Sequence, residues 1–283
     1  MATIPQRPSK IIQTATPVAP VIQQSRNVIS FQQVTKNKSG HRVIIYGPGG
    51  IGKTTLACQC PGNSAFIDAD ESLSKLKPQL EASGIKVPVL IPANDWLSLR
   101  SALQSSGYDN IQNIILDTWA PIELWSVKQT LKSIPKDGGG VAPNVEAYGF
   151  GKGWRYVFDT FLPLLGDLDA HMRAGRNVII VSHDDTNKVP NPAGQDFVRW
   201  EPKMQHTPNA SIRLRMKEWA DHVLFFSYDI DVAGTGVDKG KAKGVGFRTL
   251  HTAELPYFMA KSRTTSADYP ITHGESPWSE ILK

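Results

Sequence analysis

The sequence predicts an α/β fold with a mostly parallel, doubly wound sheet and an antiparallel extension on its C-terminal side. Short runs rich in Val and Ile alternate with longer amphipathic segments between residues 42 and 182, a pattern typical of buried strands separated by helices. Such alternation places helices on both faces of a parallel sheet. Two later strand-like segments are joined only by a Gly/Lys-rich turn, which predicts an antiparallel pair.

Each element is predicted from its own composition. β-Branched runs bounded by turn residues predict strands, and 3.6-residue apolar periodicity predicts helices. The predicted strands are Arg42–Tyr46, Ser64–Asp68, Val87–Ile91, Ile111–Leu116, Asn177–Ser182, Asp221–Asp231, Phe247–Thr252 and Tyr257–Lys261. The predicted helices are Gly52–Gln59, Ser72–Ser83, Asp95–Ser105, Ile122–Ile134, Trp154–Ala174 and Ile212–Ala220. Two long loops are predicted at 135–153 and 183–207.

The chain divides into a flexible tail, residues 1–36, and one domain, residues 37–283. The tail is rich in Pro, Gln, Ser and Thr, so it buries too little apolar surface to offset its ordering entropy. A short apolar stretch within it (residues 28–34) is a candidate strand for docking on a neighbouring subunit.

Composition indicates an intracellular protein. The 283 residues carry a formal net charge of +5, which permits a polyanionic partner without proving one. The only two cysteines, Cys58 and Cys60, are too close in sequence for a relaxed disulfide and are expected to be reduced thiols on a helix. There is neither a secretory signal nor an apolar run of membrane-spanning length, so we expect no membrane partner and a cytoplasmic location.

A complete phosphate-binding motif, G-x-x-x-x-G-K-[ST], follows the first predicted strand and opens the first helix. Glycines let the backbone turn its N–H groups toward phosphate, Lys53 adds positive charge, and Thr54 offers a hydroxyl to Mg²⁺. We therefore expect ATP and Mg²⁺ as ligands. The predicted nucleotide-binding residues are Gly47, Pro48, Gly49, Gly50, Ile51, Gly52, Lys53, Thr54 and Thr55.

A second acid is expected to support the metal. The fourth predicted strand ends in Asp117, an apolar strand followed by an acid, which is the Walker B form. With Thr54, Asp117 is the predicted Mg²⁺ site.

The spacing of further polar residues resembles that of the RecA family. The second strand runs into Phe66-Ile-Asp-Ala-Asp70-Glu71, where RecA carries a water-activating Glu and KaiC-like relatives carry paired acids. The resemblance implies that Asp70 or Glu71 orients the attacking water, although either acid is equally suited to the start of the following helix. His183, at the end of the fifth strand, stands where RecA has a γ-phosphate-sensing Gln.

Near the C-terminus, Lys261-Ser-Arg263 resembles the K-x-R finger of hexameric RecA-fold helicases and KaiC. In those families the finger reaches the γ-phosphate of a neighbouring subunit, which couples hydrolysis to assembly. The resemblance therefore implies a homo-oligomer, either a ring or a filament. The N-terminal polymerisation module of RecA is not evident.

Residues 40–265 together resemble the phage-encoded, RecA-like AAA-type ATPases that act in single-strand annealing or recombination. The resemblance implies a RecA-like P-loop NTPase core, a host-cytoplasmic location, and both single-stranded DNA and a single-strand-binding protein as partners. The two long loops match the DNA-binding loops by position and interleave cations with aromatic residues. Their predicted DNA contacts are Lys152, Trp154, Arg155, Lys188, Arg199 and Lys203.

Three functions stay open at this stage. The first is an ATPase that acts on single-stranded DNA in annealing or recombination. The second is a replicative helicase or helicase loader on the same core, which unwinding activity would reveal. The third is a KaiC-like nucleotide-switched module that binds protein and no nucleic acid.

Overall fold

The structure is a computed structural model that describes residues 39–233, 241–272 and 275–283, with side chains omitted for 230–233 and 241–246. The predicted N-terminal tail, its short apolar stretch and Lys239 of the Gly/Lys turn lie outside these ranges. The described residues belong to one compact unit.

The described ranges contain eleven strands and seven α-helices. The strands are β1 (Arg42–Gly47), β2 (Ser64–Asp68), β3 (Val89–Leu90), β4 (Asn113–Asp117), β5 (Asn177–Val189), β6 (Phe197–Pro202), β7 (His206–Thr207), β8 (Ala210–Ser211), β9 (His222–Ala233), β10 (Lys241–His251) and β11 (Tyr269–Pro270). The helices are α1 (Lys53–Cys58), α2 (Leu73–Ala82), α3 (Trp96–Leu103), α4 (Trp119–Ser133), α5 (Lys152–Arg173), α6 (Ile212–Trp219) and α7 (Trp278–Ile281). None of these helices combines the length and apolarity needed to cross a lipid bilayer.

The main sheet confirms the predicted fold class. Its strand order is β11-β10-β9-β1-β5-β4-β2-β3, and the strands from β9 to β3 run parallel. β10 and β11 extend one edge in antiparallel pairs. β5 lies between β1 and β4. The phosphate loop follows β1, and Asp117 ends β4, so these two parts of the site are one strand apart.

Both faces of the central strands are buried, which is why Val43–Tyr46 in β1 and Val178–Val181 in β5 are continuous apolar runs. Along β1, Ile44 and Tyr46 join a core with residues of α3 to α6, whereas Val43 and Ile45 join a second core with residues of α1, α2 and α7. Successive side chains of a strand point to opposite faces, so a continuous apolar run is what a two-sided core requires.

The C-terminal helix was not predicted and closes the second core. Trp278 is 1% exposed, and its indole Nε1 donates a hydrogen bond of 2.8 Å to the carbonyl oxygen of Leu56. Because Leu56 belongs to α1, this bond ties the end of the chain to the helix that follows the phosphate loop.

Two predictions of local structure are wrong. The segment 183–207 is not a loop, because β5 continues to Val189 and pairs antiparallel with β6; its polar residues hid the strand pattern. Residues 257–261 do not form a strand, since only isolated bridges join Phe258 to Trp200 and Lys261 to Val223.

Candidate nucleotide-binding site

The carboxyl ends of parallel strands bring the predicted site residues to one edge of the sheet. β1 ends at Gly47, β2 at Asp68 and β4 at Asp117. In the strand register Gly47 is opposite His183, and Asp68 is opposite Asp117. Ligands of open α/β sheets bind outside this edge, so the fold itself assembles the site.

The phosphate loop connects β1 to α1 and packs tightly at its base. A Cβ added to Gly47 would lie 2.0 Å from the carbonyl oxygen of Phe226, so only glycine fits there. Lys53 is 6% exposed, and its ammonium donates hydrogen bonds of 2.8 Å to the carbonyl oxygens of Gly47 and Pro48. The Lys53 side chain therefore lies folded against the loop that it is predicted to serve.

Burial lowers the pKa of Lys53, while the nearby carboxylates of Asp117, Asp184 and Asp70 raise it. The carboxylates therefore offset only part of the cost of burying the ammonium. Phosphate oxygens, which are stronger acceptors than carbonyls, suit a cation in that position.

Thr54 and Asp117 meet as predicted for a metal site. The Thr54 hydroxyl donates a hydrogen bond of 2.5 Å to Asp117 Oδ2. Asp117 is 3% exposed, and burial raises its pKa to about 6, although the bond from Thr54 lowers it. Hydroxyl and carboxylate oxygens are the hard ligands that Mg²⁺ prefers, so these two residues fit the ion that the motif implies.

The two candidate water-orienting acids occupy different places. Asp70 lines the cleft beside Lys53 and Asp117; partial burial raises the pKa of its carboxyl, and His183 opposes that shift. Both acids are exposed to solvent, but Glu71 has a φ of 55° and does not belong to the cleft lining. The geometry therefore favours Asp70 over Glu71 as the acid that orients the attacking water.

Helix capping, the alternative role for these acids, belongs to their neighbour Asp68. Its carboxylate accepts hydrogen bonds from the backbone N–H groups of Ser72 (2.9 Å) and Leu73 (3.0 Å). Asp68 thus satisfies the free N–H groups at the start of α2 and leaves Asp70 available to the cleft.

His183 also lines the cleft, opposite Gly47. Burial lowers its pKa, and the adjacent Lys53 lowers it further, whereas Asp70 and Asp184 raise it. Its carbonyl oxygen accepts a hydrogen bond of 2.8 Å from the backbone N–H of Lys203. The position links the edge of the site to the β5–β6 hairpin.

The cleft has a volume of about 960 Å³ and extends well beyond the phosphate loop. One wall comes from α2, and another comes from Phe226, Arg248 and the C-terminal segment around Thr272. Sequence reasoning missed these residues because they carry no motif. Arg248 stands out among them, since its Nη1 donates a hydrogen bond of 2.8 Å to the carbonyl oxygen of Ile51 inside the phosphate loop.

Lys261 and Arg263 lie far from their own phosphate loop. Lys261 Nζ donates hydrogen bonds to three carbonyl oxygens at the end of α6, the shortest being 2.7 Å to Ala220. Arg263 forms an ion pair of 2.9 Å with Asp221, which also contacts Arg42 at the start of β1. The six residues of β1 therefore separate this pair from Gly47 by about 15–20 Å.

Some side chains of the segments predicted to contact DNA are buried or already paired with acids. The guanidinium of Arg199 is held by Glu201, which is 2% exposed, and by Glu254 at 2.9 Å, so it is not available to phosphate. Trp154 is half-buried against the first core. Tyr148, an aromatic residue of the first loop, is 3% exposed and donates a hydrogen bond of 2.7 Å to the carbonyl oxygen of Ile134.

Other residues of the same two segments face solvent. Phe150 is 100% exposed and Trp200 is 42% exposed. Lys203 is exposed. Three further predicted cations are exposed but each forms an ion pair with an acid: Lys152 with Asp137, Arg155 with Asp159, and Lys188 with Asp196.

A phosphate loop on a mostly parallel sheet, with a buried acid on a nearby parallel strand, defines a P-loop ATPase fold. The chain belongs to the AAA-domain family, whose model matches residues 39–264. No curated protein matches the chain.

Solved structures resemble the chain at low identity. It is similar to a RadB recombinase, with 13% identity, 75% of this chain and 80% of that chain covered, and a TM-score of 0.41. It is also similar to a KaiC-like protein from the hyperthermophilic archaeon Pyrococcus horikoshii OT3, with 12% identity, coverages of 82% and 85%, and a TM-score of 0.43.

Proposed function

We propose that the protein binds and hydrolyses Mg-ATP in this cleft and couples hydrolysis to single-stranded DNA. The observation that carries the proposal is the meeting of Lys53, the Thr54–Asp117 pair and Asp70 at one sheet edge. Each has the chemistry that phosphoryl transfer needs: a cation, oxygen ligands for a metal, and a carboxylate beside the reacting phosphate.

In this mechanism Lys53 moves its hydrogen bonds from the loop carbonyls to phosphate oxygens and neutralises charge that builds in the transition state. Thr54 and Asp117 would hold Mg²⁺, which would supply further neutralisation of charge at the phosphates. Asp70 accepts a hydrogen bond from the attacking water and so orients it in line with the γ-phosphate. His183 contacts the γ-phosphate side of the site and transmits the loss of the γ-phosphate to the β5–β6 hairpin.

The proposed DNA surface consists of the exposed parts of the two segments that border α5 and β6. Phe150 and Trp200 offer exposed rings for base stacking. Lys152, Lys188 and Lys203 offer ammonium groups for phosphates. We infer action in annealing or recombination from the resemblance to phage-encoded ATPases, in which single-stranded DNA and a single-strand-binding protein are the partners.

Single-stranded DNA is expected to raise the ATPase rate of the wild type at low salt. Replacing Phe150 by alanine should weaken this stimulation without changing the rate measured in the absence of DNA, because the side chain contacts solvent and not the core. A comparison variant is Phe158→Ala, whose ring is partly buried against the first core, so its loss should affect stability instead. The measurement is the ATPase rate against oligonucleotide concentration.

Lack of stimulation, together with no mobility shift at low salt, would refute the DNA role. That outcome would favour a different function, that of a nucleotide-switched protein-binding module. The ion pairs of Lys152, Arg155 and Lys188 with neighbouring acids favour this candidate, because they reduce the positive potential that DNA binding requires. A helicase role would instead require unwinding of a duplex with a single-stranded tail.

We propose that the protein assembles into a ring or filament, because of the position of Lys261 and Arg263. Arg263 is 60% exposed and lies at the opposite end of β1 from its own phosphate loop, so its only reachable phosphate loop belongs to another subunit. Lys261 holds the carbonyls at the end of α6 and is expected to position the segment that carries Arg263.

Mixed subunits test this arrangement. Arg263→Ala and Lys53→Ala proteins are each expected to be inactive alone. Mixing them should restore a measurable fraction of turnover, because an intact phosphate loop of the first protein can meet an intact finger of the second. Absence of restoration from subunits shown to co-assemble would contradict a shared site.

A further inference from the structure

Arg248 reaches the phosphate loop from a part of the chain that no motif marks. It belongs to β10, and its Nη1 donates a hydrogen bond of 2.8 Å to the carbonyl oxygen of Ile51. The guanidinium carbon lies 5.6 Å from the ring centroid of Phe226, which orients the planar group. A Cβ added to Gly52 would lie 2.9 Å from Nη1, so the loop and the guanidinium are in close contact.

The sheet order fixes which end of a bound nucleotide this guanidinium faces. Asp117, Asp70 and His183 come from β4, the end of β2 and β5, all on one side of β1. Arg248 and Phe226 come from β10 and β9, on the other side of β1. Since the γ-phosphate and metal belong with the first group, Arg248 faces the phosphates nearer the nucleoside.

The Arg248 guanidinium has the chemistry to bind an anion beside the phosphate loop. The bond to Ile51 uses one of the five N–H donors of a guanidinium, and Arg248 also lines the cleft. Guanidinium binds phosphate oxygens through its fork of donors, a geometry that a lysine ammonium does not provide.

We propose that Arg248 is a nucleotide-binding residue supplied in cis, which contacts the α/β-phosphate part that ATP and ADP share. The inference rests on the proposed binding of Mg-ATP. It adds a second cation to the site, on the opposite side of the phosphate loop from the residues that act on the γ-phosphate.

Titration of Mg-ATP and of Mg-ADP into wild type and Arg248→Ala tests the proposal. Loss of charge-assisted hydrogen bonds should raise both dissociation constants by a similar factor, about 10-fold or more. A matched control is Arg215→Ala, an exposed arginine of α6 paired with Glu218, which should leave both constants unchanged.

A second variant separates phosphate binding from support of the loop. Arg248→Gln keeps a polar amide on a shorter side chain but loses the charge, so it should bind both nucleotides as weakly as Arg248→Ala, and an unfolding temperature equal to that of wild type in both variants would show that the loop does not depend on the bond to Ile51. Wild-type affinity in Arg248→Gln, or weakening for ATP alone, would overturn the inference. Wild type that binds neither nucleotide would overturn the proposed function as well, whereas unchanged binding by Arg248→Ala would overturn this inference alone.

Discussion

Replacing Lys53 by alanine is expected to abolish ATP turnover, with a loss on the order of 100-fold or more. The ammonium is buried beside Gly47, Pro48 and the acids of the cleft, where water does not screen its charge. A cation in such a position stabilises the transferred phosphoryl group far more than a solvated one. The measurement is the steady-state ATPase rate at saturating Mg-ATP.

The Lys53→Ala protein is expected to keep its fold. Burial lowers the pKa of Lys53, which means that the charged form gains no net stabilisation from its surroundings. Lys128→Ala, an exposed lysine of α4, is the matched control and should turn over ATP as wild type does. Turnover by a folded Lys53→Ala protein at the wild-type rate would contradict the proposed phosphate role.

Replacing Asp70 by asparagine should lower turnover by on the order of 100-fold or more while Mg-ATP still binds. Asn keeps the shape of the side chain but loses the carboxylate that orients water. Asp70 lines the cleft next to Lys53, so its loss acts on the chemical step. The measurements are the turnover number and the dissociation constant for Mg-ATP.

Glu71→Gln is the matched control at the neighbouring position. Glu71 is exposed and absent from the described cleft lining, so its variant should retain nearly full turnover. The reverse result, with Glu71→Gln inactive and Asp70→Asn active, would assign the water-orienting role to Glu71 and show that the loop rearranges when nucleotide binds.

Much of the fold was predictable because the parallel strands are buried on both faces. Val43–Tyr46 in β1 and Val178–Val181 in β5 are continuous apolar runs, which a short stretch of sequence is enough to reveal. The second half of β5 and its partner β6 carry charged residues on a solvated hairpin, so period-2 apolar alternation is missing there. The wrongly predicted strand at 257–261 is apolar because Phe258 is buried at 1% exposure, although it forms only isolated bridges.

The site was predictable where the motif is contiguous and not where distant segments supply it. Lys53 and Thr54 follow from spacing, and the structure places Asp117 next to them. The choice between Asp70 and Glu71 required the backbone path after β2. Arg248 lies nearly 200 residues beyond Ile51 in sequence, so only the arrangement of β9 and β10 beside β1 reveals its contact. Arg199 was predicted as a DNA contact because sequence does not show that Glu201 binds its guanidinium.

The central claim is that the loop between β1 and α1 binds Mg-ATP through its backbone and Lys53. Titration calorimetry of the wild-type protein with Mg-ATP tests it most directly. The account predicts saturable binding of one nucleotide per chain, weakened when Mg²⁺ is removed and lost in Lys53→Ala. Absence of saturable binding by folded wild-type protein would contradict it.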